Sequence, residues 1–241
     1  MFRTVREYLT TLERSRESMA MRRRASTFVL HGREWDLLPD VYAPDHSPST
    51  EIAWELLSRA TQRRPPESLL EMGCGAGVIA VTAALQGSTR VVGVDINPAA
   101  VRNTRLNSVR HGVDDRVHAV QGDLFDALPP SEKGDKGAKF DVIFWSSPSV
   151  LAPTDYEYRH VHERAYVDAG YATHQRFLAQ APRWLNPGGS ALLHFSTRGN
   201  LVALLRAAHT HRRGLHILRS VVRRDDGLAI DHMLIEITTP R

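Results

Sequence analysis

Cysteine is almost absent from this chain; the single thiol is Cys74. One cysteine excludes an internal disulfide and an all-cysteine zinc site, and it suits a reducing compartment. Long apolar runs are missing too. No stretch approaches the ~20 apolar residues of a membrane span. The N-terminal MFRTVREYLTTLERSRESMAMRRR carries charges throughout and lacks the apolar core of a signal peptide. A soluble, cytoplasmic protein with no membrane partner is expected. Neither charge sign dominates: 31 Lys and Arg stand against 27 Asp and Glu, for a net charge of +4, although the pI is near 9.5. That balance permits an acidic partner without requiring nucleic acid. Internal repeats and low-complexity tracts are also missing.

What remains is an ordinary globular composition. The 241 residues, 42% of them hydrophobic, suffice for one large domain with a full core, or a domain with a small appendage. Phe2, Val5, Leu9 and Leu12 fall at helical spacing, so residues 2 to 20 read as an amphipathic helix. Met21 to Arg24 read as its solvated end. TFVLHGREWDLL reads as strand, His-Gly turn, strand. A proline-rich loop, VYAPDHSPST, follows, and Ser49 or Thr50 caps a helix over EIAWELLSRA. Residues 1–57 are therefore expected to form a helix-and-hairpin cap, and residues 58–241 the main domain.

From residue 67 strands and helices alternate. SLLEM, RVVGVD, RVHAVQGD, FDVIFW, SALLHFS, GLHILRSVV and LAIDHMLIEIT read as seven strands. Helices are expected over VIAVTAALQ, over NPAAVRNTRLNSVRHG between Pro98 and Gly112, over HQRFLAQAPRWL closed by Asn186-Pro187-Gly188-Gly189, and over residues 200 to 210. This rhythm predicts an α/β fold with a mostly parallel, doubly wound sheet. Asp225-Asp226-Gly227 predicts a hairpin that makes the last strand antiparallel.

Glu71-Met72-Gly73-Cys74-Gly75-Ala76-Gly77 lies between a strand and a helix, where glycines let backbone approach a ligand. The spacing is G-x-G-x-G rather than that of dinucleotide binders, and no Lys-Ser/Thr pair follows to make a P-loop. Asp95 lies 18 residues beyond Gly77 at a strand end, where a carboxylate can take both hydroxyls of a ribose. Asp123 ends the next strand; there it can accept from an adenine amino group, with Leu124 or Phe125 against the ring. Cys74 reads as a small packed residue, since nothing near it in sequence would activate a thiol.

Together EMGCGAG, DINP, GDLF and FDVIFWSSPS resemble the class I S-adenosylmethionine (SAM)-dependent methyltransferases, from about residue 65 to the C-terminus. The resemblance implies a Rossmann-like fold and SAM as cosubstrate, with no metal. It implies Gly73, Gly75 and Gly77 near the methionine part, Asp95 on the ribose, Asp123 at the adenine, Ile96 and Leu124 also at the cofactor, and Glu71 organising the loop. VYAPDHSPSTE and AYVDAGYATHQRFLAQAPRWLNPGG are similar to segments of the glutamine methyltransferases that modify release factors. Those relatives end the fourth strand in Asn-Pro-Pro-Tyr, whose Asn side chain and Pro carbonyl hold a planar nitrogen in line with the methyl. Here the four positions are Ser146, Ser147, Pro148 and Ser149. A serine still offers an acceptor, but it is shorter and rotates more freely.

The stretch LAPTDYEYRHVHERAYVDAGYATH holds Tyr156, Tyr158, Tyr166 and Tyr171, with His160, His162 and His174. One reading is a surface loop whose tyrosines are half packed on the sheet edge. The other is a lid whose tyrosine faces meet a sulfonium and one of whose histidines acts as a base. Residues 199 to 224 carry six arginines and no acid, which read as a solvated face or as a grip for RNA. Ser146, Ser149 and Tyr171 are the expected catalytic residues, and Ser146 also meets the cofactor. Ser147, Pro148, Tyr156, Tyr158, Tyr166 and Thr50 are expected at the substrate. Three activities fit: methyl transfer to a small molecule in specialised metabolism, cyclisation of SAM to azetidine-2-carboxylic acid with release of methylthioadenosine, and an RNA- or ribosome-associated methyltransferase. The first, with a small-molecule partner and no nucleic acid, is the leading expectation.

Overall fold

The computed structural model describes residues 2–21, 26–45, 47–61, 64–129, 139–225 and 227–239. Arg22 to Arg24, His46 and Asp226 of the segments above lie outside the described residues. Helix α1 (Phe2–Met21) leads to a hairpin, β1 (Ser26–Leu30) and β2 (Arg33–Leu37), and to α2 (Ser49–Thr61). Then come β3 (Ser68–Met72), α3 (Val78–Leu85), β4 (Arg90–Asp95), α4 (Pro98–Arg110), β5 (Val117–Gln121) and β6 (Phe140–Ser146). The chain closes with β7 (Val150–Ala152), β8 (Val167–Ala169), α5 (Ala172–Gln180), β9 (Leu185–Ser196), α6 (Leu201–Thr210), β10 (Gly214–Asp225) and β11 (Leu228–Thr238). Among the described residues no helix is long and apolar enough to cross a membrane.

Seven strands form one sheet in the order β10-β11-β9-β6-β3-β4-β5. The pairs from β5 to β9 are parallel, and β11 runs antiparallel to both β9 and β10. Central strands read as unbroken apolar runs because both faces are covered. Alternation then divides them: Leu69, Phe144 and Leu192 join the core under α2 and α3, whereas Leu70, Ile143 and Leu193 join that under α5 and α6. Burying each such side chain stabilises the fold by about 1.5–3 kcal/mol.

The cap is tied to this sheet by polar side chains. Asn103 and Asn107 on α4 are fully buried. Their Oδ1 atoms accept from Leu38 N and Asp36 N, and their Nδ2 groups donate to Asp36 O. Buried amides need such partners, and here the hairpin supplies them. α2 covers residues 57 and 58, where the cap was expected to give way to the main domain, and Glu55 on it pairs with Arg223 of β10 at 3.0 Å. Ser49 and Thr50 lie inside the first turn of α2; the turn is closed by Pro48 O, which accepts from Ile52 N.

Two elements differ from the sequence reading. The helix expected to reach Leu185 stops at Gln180, because Pro182 cannot continue the ladder and a 3-10 turn follows. Residues 150 to 174 hold a short parallel pair, β7 with β8, rather than a loop throughout. Leu12 of α1 packs on Val150, Ala152 and Val167, with Tyr8, Tyr156, Tyr158 and Tyr166 around them.

Candidate active site

A cavity opens at the carboxyl ends of β3, β4, β5 and β6, where open α/β sheets place their ligands. Its floor is the loop after β3. Gly73, Gly75 and Gly77 all have positive φ. At Gly77 the requirement is double: φ is +81°, and a Cβ would lie 2.9 Å from Thr104 Cα. A Cβ on Gly75 would meet no atom within 4 Å, so this glycine leaves open space beside the backbone. Gly77 itself is a packing residue behind the cavity wall.

Glu71, the last residue but one of β3, is buried, and its Oε2 accepts from Ala80 N in the first turn of α3. Burial pushes its carboxyl well above the usual range, the Ala80 hydrogen bond opposes this, and Asp95 adds to the rise. Asp95 ends β4. Its Oδ2 accepts from Gly75 N and its Oδ1 from Asn97 N, both at 2.9 Å. These bonds pull its pKa down, but burial outweighs them and the net direction is up. Asn97 caps α4 through Ala99 N and donates to Asp40 O, joining the cap to the end of β4. Burial raises the Cys74 thiol, and Thr104 Oγ1 donates to it, which leaves it unreactive and packed.

Four acidic side chains, Asp40, Glu71, Asp95 and Asp123, line the cavity against one guanidinium, Arg164. Ile96, Leu124 and Trp145 add apolar wall. Leu124 has φ +54°, a left-handed backbone costing about 1–2 kcal/mol in a non-glycine residue. Asp123 is not an open acceptor: its Oδ2 lies 2.6 Å from Arg176 Nη1, and Arg176 also holds Asp126. The SAM that the sequence resemblance implies fits this lining. The ligand combines a sulfonium and an ammonium with an apolar base and ribose hydroxyls, and carboxylates, open glycine backbone and apolar wall stand together here.

Ser146, Ser147 and Pro148 reach the same cavity from the end of β6, as do Thr50 and Tyr158. Each of the two serines is held by a buried imidazole. Ser146 Oγ lies 3.0 Å from His194 Nδ1, and His194 Nε2 lies 3.1 Å from His232 Nδ1. Burial, and then the neighbouring His232, lower His194 to about 3. Burial lowers His232 to about 4 despite Asp225 nearby. Ser147 Oγ lies 3.0 Å from His174 Nε2, whose Nδ1 is 2.7 Å from Asp168 Oδ2.

Besides Gly77, four expected site residues lie elsewhere. Tyr171 is fully buried away from the cavity; its hydroxyl donates to Ser149 O at 2.5 Å and accepts from Asn200 N. Ser149 Oγ accepts from Ser196 N, so it braces β9 instead of facing a substrate. Tyr156 donates to Glu163, and Tyr166 packs behind Tyr42. Tyr158 keeps its place on the wall, but Arg164 lies 4.2 Å over its ring and takes one face from any sulfonium. The sequence reading missed Asp40, Tyr42, Trp145 and Arg164 on the wall. His162 also lines the cavity; its Nδ1 lies 2.8 Å from Ser15 Oγ of α1, and burial with His160 lowers it to about 4. Of the arginines in 199 to 224, Arg213 donates to Leu178 O and Ala179 O, Arg219 to Arg59 O, and Arg223 to Glu55.

A glycine-floored cavity with acidic strand ends, in a sheet whose last strand turns back between two neighbours, defines a methyltransferase-type site. A family model described as a methyltransferase domain matches residues 65–220, and the chain belongs to that family of SAM-dependent enzymes. It is 33% identical over 167 residues to a release factor glutamine methyltransferase of Geobacter sulfurreducens, covering 66% of this chain and 54% of that one. It is 31% identical over 144 residues to a ribosomal protein uL3 glutamine methyltransferase of Burkholderia pseudomallei, covering 56% and 47%. The chain thus spans about half the length of these curated relatives. A crystal structure of a ribosomal protein L11 methylase from Lactobacillus delbrueckii subsp. bulgaricus shares the fold, with a TM-score of 0.57, 18% identity and 84% of each chain covered.

Proposed function

We propose that this chain is a SAM-dependent methyltransferase whose acceptor is a side-chain nitrogen of a protein of the translation apparatus, a glutamine amide first among them. The observation that carries the reading is the shared cavity: the Gly73–Gly75 loop and Asp95 line one side, and Ser146 to Pro148 the other. The names of the relatives favour a protein acceptor over the small molecule that the sequence alone suggested. SAM bound there supplies an electrophilic methyl group. Asp95 takes the ribose hydroxyls, Ile96 and Leu124 flank the base, and Glu71 with the glycine backbone holds the methionine part. Asp123 reaches the adenine only as an anion shared with Arg176.

Ser146 then stands where the acceptor nitrogen must be fixed. In the neutral tautomer whose Nε2–H donates to His232 Nδ1, His194 Nδ1 accepts the Ser146 hydroxyl hydrogen and the Oγ lone pairs are left for amide N–H donors. An imidazole thereby fixes the rotamer that makes a lone serine a poor clamp. Positioning of this kind is the main help an in-line displacement needs. Thr50, Ser147, Pro148 and Tyr158 frame the acceptor. In this reading residues 1–57 close the cavity, and the enzyme works in the cytoplasm, where its acceptor is made.

The test is incubation with methyl-labelled SAM and, in turn, a purified bacterial release factor, ribosomal protein uL3 and ribosomal protein L11. Label on one protein, with matching S-adenosylhomocysteine, is expected. Methylthioadenosine together with azetidine-2-carboxylic acid from SAM alone, above the no-enzyme control, would instead show cyclisation and overturn the transfer reading.

A further inference from the structure

Ser147, His174 and Asp168 form a line that cofactor binding does not use. They come from three places: the end of β6, the first turn of α5, and β8. His174 and Asp168 are 0% and 1% exposed. Of the three only Ser147 lines the cavity. The imidazole is wedged among Trp145, Tyr171 and Phe195, with ring centroids 4.6 to 5.8 Å away. Asp168 also caps α5, accepting from Thr173 N and His174 N. Burial opposes its charge, but the His174 side chain and these backbone donors hold the carboxyl below its ordinary range. Asp168 is therefore an anion, and His174 Nδ1 carries the hydrogen between them.

Ser147 Oγ has a second partner, His194 O at 3.1 Å. One hydroxyl hydrogen cannot serve both. With His174 neutral, the hydrogen points at Nε2. With His174 protonated, Nε2–H donates to Oγ and the hydroxyl turns to the carbonyl. Both states leave every polar group paired, so the site can take up a proton without orphaning a buried group. A contact that served packing alone would need only one of them.

We propose that Ser147, His174 and Asp168 are the proton acceptor of the transfer, drawing off the proton that the acceptor nitrogen sheds. The proposal rests on the methyl-transfer reading above. As the nitrogen–carbon bond forms, the sulfur–methyl bond breaks and its electron pair stays on sulfur. The N–H proton passes to Ser147 Oγ while the Ser147 proton passes to His174 Nε2. The positive charge moves from sulfonium to an imidazolium beside Asp168, and no co-reactant is needed. Ser147 is the catalytic residue that meets the acceptor; His174 and Asp168 are positioning residues that act through it. The titratable groups facing His174 are Asp168 from β8 and Tyr171 at the head of α5, and burial raises the phenol so that it stays neutral.

Two measurements test this. A fluorophosphonate probe applied to the whole protein needs no acceptor. Ser147 Oγ displaces fluoride at phosphorus as its proton goes to His174. The expected result is a mass adduct on Ser147 that forms faster as pH rises, is blocked by saturating S-adenosylhomocysteine, and is absent from His174→Gln. An unlabelled Ser147 overturns the proposal. In the transfer assay with the release factor, Ser147→Ala should lower kcat on the order of 10²-fold. SAM affinity should be unchanged, and the fall in kcat on the acid side of the pH profile should disappear. Asp168→Asn should move kcat the same way with KM unchanged. Wild-type kcat and pH profile in Ser147→Ala overturn the proposal. The adduct on Ser147, its pH dependence and its block by S-adenosylhomocysteine are read on folded wild type, so a variant that fails to fold does not blunt them. A labelled Ser147 beside an unmethylated release factor supports the relay and refutes that acceptor.

Discussion

Acidification should weaken this protein well above the pH at which its carboxylates titrate, because three buried histidines are kept neutral. His162, His194 and His232 are 2%, 2% and 6% exposed, with pKa values lowered to about 4, 3 and 4. In the unfolded chain each returns to about 6.5 and binds a proton there. The unfolded state therefore holds more protons between pH 6.5 and the folded values. Their neutrality contributes stability that is present in full above pH 6.5 and lost as pH falls toward 3 to 4. Linkage gives up to about 1.4 kcal/mol per pH unit for each group. Integrated from pH 7 to 5, the loss is ~2 kcal/mol per histidine, ~6 kcal/mol for the three. Glu71 works in the opposite sense: its raised carboxyl binds a proton in the folded state and returns at most about 3 kcal/mol over that interval. A net loss of ~3 kcal/mol is a large fraction of an ordinary folding free energy of roughly 5–15 kcal/mol. Urea unfolding followed by tryptophan fluorescence at pH 7, 6 and 5 measures it. Equal extrapolated stabilities at pH 7 and pH 5 would refute the neutral-histidine account.

Asp95→Ala removes the carboxylate that orders Gly75 N and Asn97 N and is assigned to the ribose; calorimetry should show SAM binding weakened on the order of 10²-fold, given two charge-assisted hydrogen bonds. Unchanged affinity would remove Asp95 from the cofactor site. Gly77→Ala combines a left-handed backbone with overlap against Thr104, and should cost about 2–5 kcal/mol in denaturant titration; a loss under about 1 kcal/mol would mean that α3 and α4 can part. Ser15→Ala strips His162 of its Nδ1 partner. Thermal unfolding should show about 1–3 kcal/mol less stability, and S-adenosylhomocysteine should dissociate faster in stopped flow. An unaltered off-rate would mean that α1 does not control the cavity wall.

The glycine loop and strand ends that line the cavity were legible because their signals are local. Glycines between a strand and a helix, and acids at successive strand ends, are positions that chain order alone locates. Ser146 to Pro148 were placed for the same reason, as the end of the strand that begins at Phe140. Their partners were not legible. The register of β6 on β9 sets Ser146 opposite His194, and nothing near either residue encodes that pairing. The hints were single polar residues in apolar strands, His194 in SALLHFS and His232 in LAIDHMLIEIT. Tyr171 was misread because its fate is set by a left-handed turn, φ +53°, that swings the ring under Ser149 and toward Asn200. Of the histidines that the sequence offered as a possible base, His160 lies off the cavity wall and accepts from His162 N, His162 joins the wall, and His174 stands behind Ser147.

The bond between Ser15 and His162 spans 147 residues of chain. Contacts so far apart close late, since the loop they bridge must first be ordered by everything between them. The cavity wall is therefore finished by segments far apart in the sequence, after the glycine loop and its neighbouring strands can already pair. Refolding should show sheet and helix before ligand affinity, a lag that paired far-ultraviolet dichroism and S-adenosylhomocysteine binding would time. A chain stalled before His162 emerges would hold most of the residues that line the cavity with one wall unclosed, which makes binding competence a report that the fold is complete.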